Sequence, residues 1–160
     1  MESTIFRKIM IATDGSELVK RAVDLAIEIA KLSEAKLYAV HVIALEGNSI
    51  IHSRGKEQKK TLKEQLIVEG KKATDYVENI GRTANVRVES TILEGNPANE
   101  IIDFAEKNDI DLIVMGTHGK TGTQRFLIGS VSDNVVRHSE RAVLVARGES
   151  ADLLFKALLK

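Results

Sequence analysis

The chain has no cysteine and no tryptophan in 160 residues, and a single proline, Pro97. Without thiols there is no disulfide, no thiolate nucleophile and no thiolate metal site. Aromatic residues make up only 4%, which leaves few rings on which a flavin or a dinucleotide base could stack. Charge of one sign is not in excess, with 23 Lys and Arg against 23 Asp and Glu. That balance argues against a general binder of nucleic acid or of membrane surfaces, both of which need net positive charge, although it leaves room for a local basic patch. No apolar run approaches the roughly 18 residues of a membrane span. The opening MESTIFRKIMIATDGS has no long apolar core of the signal-peptide kind, so a cytoplasmic location is expected. His41, His52, His118 and His138 are scattered, and none pairs with another at helical ligand spacing, so no zinc, copper or iron site is suggested. No Ser/His/Asp triad or carboxylate dyad is suggested by spacing either.

What is present is ordinary globular material. A length of 160 residues with 43% hydrophobic content is enough for one domain with a proper core. Short apolar stretches alternate with stretches of helical period. IFRKIMIAT (5–13) reads as a strand that ends at Asp14-Gly15, and Ser16 stands where an N-cap belongs. Leu18, Ala22, Leu25, Ala26 and Ile29 then recur at helical spacing and predict a helix over 17–32. AKLYAVHVIA (35–44) is a second strand, with an exposed polar loop after it from Glu46 to Gln58. Leu62, Leu66, Ala73, Val77 and Ile80 mark a long amphipathic helix over 59–80, with Gly81 as its natural stop. NVRVESTIL (85–93) alternates as a half-exposed or edge strand would. Asn96-Pro97 opens a helix with Ala98, Ile101, Ile102 and Ala105 inward. IDLIVMG (110–116) is nearly continuous hydrocarbon, as in a strand buried on both faces. A helix over 130–139, with Val131, Val135 and Val136 inward, and a strand AVLVA (142–146) complete the count.

The order βαβαβαβαβ implies an α/β fold with an open five-stranded parallel sheet and helices on both faces. The two least polar strands, the first and fourth, belong in the middle, and the order 3-2-1-4-5 satisfies that. The domain is expected to span 1–148. The segment 149–160, which contains SADLLFKALLK, is expected as an amphipathic tail, either folded back on its own domain or docked on a partner subunit.

In such a sheet, ligands bind beyond the carboxyl ends of the strands where the order reverses, here between strands one and four. Two loops meet there. One is Thr13-Asp14-Gly15-Ser16. The other is GTHGKTGTQRFLIGS (116–130), which holds four of the eleven glycines. Gly116 and Gly119 allow a ligand close to the backbone. Gly129-Ser130 begins a helix, whose free N–H groups and dipole attract an anion. Lys120 and Arg125 add positive charge. The package is a phosphate seat made mostly of main chain. Plainer readings stand beside it: Ser130 capping its helix with Asp133 reaching back, Asp14 capping the first helix, His41 as a satisfied core histidine, and His118 as merely exposed. Asp14 could instead contact ribose or adenine, or hold a divalent ion such as magnesium or manganese. Two motifs fail. Gly119-Lys120-Thr121 ends like a phosphate-binding P-loop, but the glycine required five positions earlier is Val114. TDGSE lacks the dinucleotide fingerprint.

Gly116, Gly119, Gly129 and Ser130 satisfy G-x2-G-x9-G-[ST] without gap or substitution. With KIMIATDGSE, AVHV, EGNPANEIIDFA and RAVLVAR, the chain resembles the ATP-binding branch of the universal stress protein family over residues 5–147. The resemblance implies a 3-2-1-4-5 sheet, with adenine near Ala12, Asp14 and Val42. It implies ribose and phosphates near Met115, Gly116, Gly119, Gly129, Ser130 and Val131. It also implies a homodimer through 142–146. The family often has proline where Ala12 stands, a contact of backbone and packing that alanine preserves. The expected function is a stress-linked sensor or switch that binds ATP, or AMP or ADP, and signals to a partner. The alternatives are a weak magnesium-dependent ATPase or phosphotransfer enzyme with no catalytic residue marked by spacing, and a nucleotide-free dimerisation module.

Overall fold

The computed structural model describes residues 5–45, 55–117 and 128–148. Their elements are β1 (Lys8–Ala12), a 3-10 turn (Glu17–Val19), α1 (Lys20–Ser33), β2 (Lys36–Ile43), α2 (Lys56–Thr83), β3 (Val88–Glu94), α3 (Pro97–Lys107), β4 (Leu112–Gly116), α4 (Ser130–His138) and β5 (Ala142–Ala146). The five strands form one sheet in the order β3-β2-β1-β4-β5, all parallel. Ile9 lies level with Leu37 of β2 and with Leu112 of β4, so β1 is the centre of the sheet. No described helix is long and apolar enough to cross a membrane.

Side chains alternate between two cores, because successive strand residues point to opposite faces. Ile9, Ile11, Leu37, Ala39, Leu112 and Val114 meet Ala22, Val23 and Ala26 of α1 and Val77 of α2. Met10, Tyr38, Val40, Ile113 and Met115 meet Ala98, Ile101 and Ala105 of α3 and Val135 of α4. The half-polar third strand is an edge as expected, with no residue fully buried.

Four sequence expectations give way to tertiary context. The first helix is split: residues 17–19 form a 3-10 turn, and the buried stripe of α1 is Ala22, Val23, Ala26, Ile27 and Ala30. Leu18, Leu25 and Ile29 stand to one side, partly buried. Ser16 takes the extended N-cap conformation, but its side chain makes no cap bond. Gly81 does not end α2, which runs on to Thr83. Instead Gly81 is buried where its missing Cβ admits the Val88 side chain, and the chain reverses at Asn85, in the left-handed region with φ 58°. Val136 points outward, 46% exposed.

The cap at Asn96 is as expected: its Oδ1 accepts from the Asn99 N–H at 3.1 Å, with Pro97 in the first turn. Replacing Asn96 by Ala leaves that N–H without its partner and costs about 1 kcal/mol. For a domain of this size that lowers the melting temperature by about 2–4 °C, readable by calorimetry.

Candidate functional site

The carboxyl ends of β1 and β4 carry the two loops singled out by sequence. Pairing of β1 with β2 continues one residue past the strand, as the Thr13 N–H donates to the Val40 carbonyl at 2.9 Å. The Thr13 carbonyl then accepts from Nδ1 of His41 at 2.8 Å, which assigns the proton to that nitrogen. His41 is buried, 9% exposed, and its ring lies against Gly70 of α2. It is a satisfied core histidine, and it holds the residue next to Asp14.

Asp14 shapes its own loop. Its Oδ1 accepts from the Ser16 N–H at 2.9 Å, while Thr13 Oγ1 accepts from the Gly15 N–H at 3.2 Å. Within this turn Gly15 takes φ +75° and lies against Ala73 of α2. Asp14 thus caps the backbone turn with one oxygen, and its second oxygen makes no bond among the described residues. Ser16 Oγ is buried and has no partner among them either. Lys20, one turn further on, bonds Glu17 at 2.7 Å, and that bond holds its ammonium above the ordinary lysine pKa.

At the other loop, the base is clasped. The Thr117 N–H donates to the Ala146 carbonyl at 3.0 Å, extending β4 along β5. The Thr117 carbonyl in turn accepts from the Gly129 N–H at 2.6 Å and faces Ser132 Oγ at 3.1 Å. Ser132, 2% exposed, has Gly129's carbonyl at 3.0 Å as its other acceptor. The N-cap and first turn of α4 are therefore pinned beside the end of β4. Gly129, not Ser130, is the N-cap, and Asp133 turns its carboxylate to Arg137 rather than back to Ser130. The first intrahelical bond runs from Asp133 N–H to Gly129 O. The Ser130, Val131 and Ser132 amides precede it, with the positive end of the helix dipole. The Gly129 amide is engaged with the Thr117 carbonyl.

The apolar candidates converge on one face. Met115 is buried in the core cluster against α3 and α4, and Ala12, Val42 and Val131 pack against the same cluster, half-buried. They stand at the ends of β1, β2 and β4 and at the start of α4, all on the same face of the sheet. Asp14, Gly116, Gly129 and Ser130 lie at the loops above it. Gly119, His118, Lys120 and Arg125 lie outside the described residues. Among the described residues no three His, Asp or Glu side chains group as a metal site. Sequence reading does not reveal Thr13, His41 and Ser132 as the fasteners of these loops. Each reads as an ordinary residue because its partner is remote in sequence.

The sheet order defines a doubly wound α/β domain, the class in which ligands bind past the strand ends where the order reverses. The chain belongs to the universal stress protein family, whose sequence pattern matches residues 5–147. It is similar to universal stress protein MJ0531 of Methanocaldococcus jannaschii, 40% identical over 143 residues, covering 89% of this chain and 83% of that one. The solved structure of MJ0577 from the same organism superposes with a TM-score of 0.79 at 30% identity, over 92% of this chain and 99% of that one. A universal stress protein from Archaeoglobus fulgidus in complex with dAMP gives 0.64 at 27% identity, over 88% and 98%. Another, in complex with cAMP, gives 0.63 at 26%, over 89% and 97%.

Proposed function

We propose that this chain is a cytoplasmic ATP-binding stress protein, a sensor or switch whose nucleotide-bound state is read by a signalling partner. The observation that carries the reading is the Thr117–Gly129 clasp, which sets the start of α4 against the end of β4 at the switch point. The intact Gly116, Gly119, Gly129, Ser130 pattern supports it, as do the adenine nucleotides in two related structures. Ala12 and Val42, partly buried at the ends of β1 and β2, suit an adenine ring, with Met115 and Val131 on the ribose and phosphate side. Asp14 suits ribose, and the Ser130 and Val131 amides suit phosphates. A single carboxylate beside phosphates also fits magnesium or manganese, which binds through phosphate oxygens and one or two carboxylates and keeps its waters. Mass spectrometry under native conditions tests this directly. Protein purified without added ligand is expected to carry an adenine nucleotide, or to take up ATP on titration. A chain that takes up neither refutes the proposal.

The same reading makes the chain a homodimer through β5, the outer strand of the sheet. Ala142 on that strand is exposed, so a charge there leaves the core alone. Sedimentation is expected to show a dimer for the wild type and a monomer for Ala142→Lys, because two lysines would face one small interface. A monomeric wild type sinks this part.

A further inference from the structure

The outer surface of α1 has two flanks of different character. On one, Lys20 sits over the Tyr76 ring, 5.3 Å from its centroid, and Asp24 and Ile27 share a groove with Tyr76, Asn79 and Ile80. That flank belongs to α2. At 100° per residue the other flank of α1 carries Leu25, Ile29 and Leu32, and Leu18 of the 3-10 turn precedes them. Leu32 is 83% exposed, and the other three are only half-buried. Four large aliphatic side chains at spacings of seven, four and three form a strip along the helix, which is more than scattered surface hydrophobics.

The chain leaves β5 at the head of this strip. Gly148 lies against Leu18 so closely that a Cβ on it would meet the Leu18 carbonyl at 2.6 Å. Beyond Glu149 the chain reads SADLLFKALLK, residues 150–160. In helical form Ala151, Leu154, Phe155 and Leu158 fall on one face at i, i+3, i+4 and i+7. Eleven residues rise about 16 Å, and Leu18 to Ile29 covers about the same length. With Gly148 level with Leu18 and the segment run alongside α1 at helical rise, Phe155 falls level with Leu25 and Leu158 within one residue of Ile29.

We infer that residues 150–160 dock as an amphipathic helix on the free flank of α1, in the same chain. The chain that leads into that helix runs close to both loops of the site. Gly148 bears on Leu18, two residues after Ser16, and Ala146 holds Thr117. The inference does not depend on which ligand the crevice takes.

The absence of cysteine allows a clean test on the full chain. Ile29→Cys combined with Leu158→Cys is expected to form a disulfide within one chain on mild oxidation, since docking brings the two Cβ atoms within bonding reach. Asp103→Cys, exposed on α3 across the sheet, combined with Leu158→Cys, is expected to form none. Mixed heavy- and light-isotope chains distinguish linkage within a chain from linkage between chains. No linkage, equal linkage in both pairs, or linkage only between chains would each overturn the inference, the last by placing the segment on a second copy. Hydrogen exchange needs no cysteine and keeps the question decidable if either pair folds poorly. Leu154→Asp with Leu158→Asp is expected to speed exchange of α1 amides over 20–33 several-fold. Unchanged exchange there would equally overturn it.

Discussion

Gly129→Val is expected to weaken ATP binding by about 100-fold, while the protein remains folded. The backbone at Gly129 is extended, φ −61° and ψ 159°, a conformation valine adopts readily. The substitution therefore adds a side chain without straining the backbone dihedrals. Its folding cost is that of a poor N-cap, about 1 kcal/mol, or about 2–4 °C in melting temperature. The Thr117–Gly129 bond uses backbone atoms only and survives. What changes is the approach to the Ser130 and Val131 amides. Hydrogen bonds to a charged group contribute about 1.5–3 kcal/mol each, so blocking two of them costs about 3 kcal/mol or more, a factor of about 100. Titration calorimetry with ATP and magnesium measures it. Equal affinity in the two proteins would show that phosphates sit elsewhere.

Gly15→Val should be the most damaging single change in the first loop. Gly15 is at φ +75°, and a Cβ there would stand 3.1 Å from the Ala73 Cβ. A left-handed β-branched residue costs about 1–2 kcal/mol, and forcing extra carbon against a helix adds about 1–3 kcal/mol. The sum lowers the melting temperature by about 4–20 °C at about 2–4 °C per kcal/mol. Because Asp14 is held by the same turn, affinity for nucleotide should fall as well. The two causes separate in a cycle of Gly15→Ala with Ala73→Gly. Removing the Ala73 methyl recovers the steric part and leaves the dihedral part. Strictly additive single effects would show that the contact with α2 contributes nothing.

These two glycines illustrate what can be read without coordinates. The strand count, the 3-2-1-4-5 order and the meeting of the two loops come from local period and from the rule that ligands collect where strand order reverses. Asn96-Pro97 announces its helix start because a cap is made by residues three apart. The inward face of α1 is not legible in this way. Large leucines look like core, but a helix lying close on a sheet buries Ala22, Ala26 and Ala30 at the centre and leaves Leu25 and Ile29 at the margin. Gly81 reads as a helix stop because glycine usually is one, and here its smallness serves Val88 instead.

The sequence by itself determined the alternation of strand and helix, the apolar strands that had to be central, and the glycine pattern 116, 119, 129 with Ser130. All of these are local properties, set by period and by the presence or absence of a side chain. Only the tertiary structure decided that His41 holds Thr13, that Ser132 and Thr117 pin the start of α4, and that Gly15 rests on Ala73. The reason is physical. Each is a contact between residues that the chain brings together only after the sheet has formed, and a hydrogen bond or a van der Waals contact leaves no mark on its partners' neighbours in sequence.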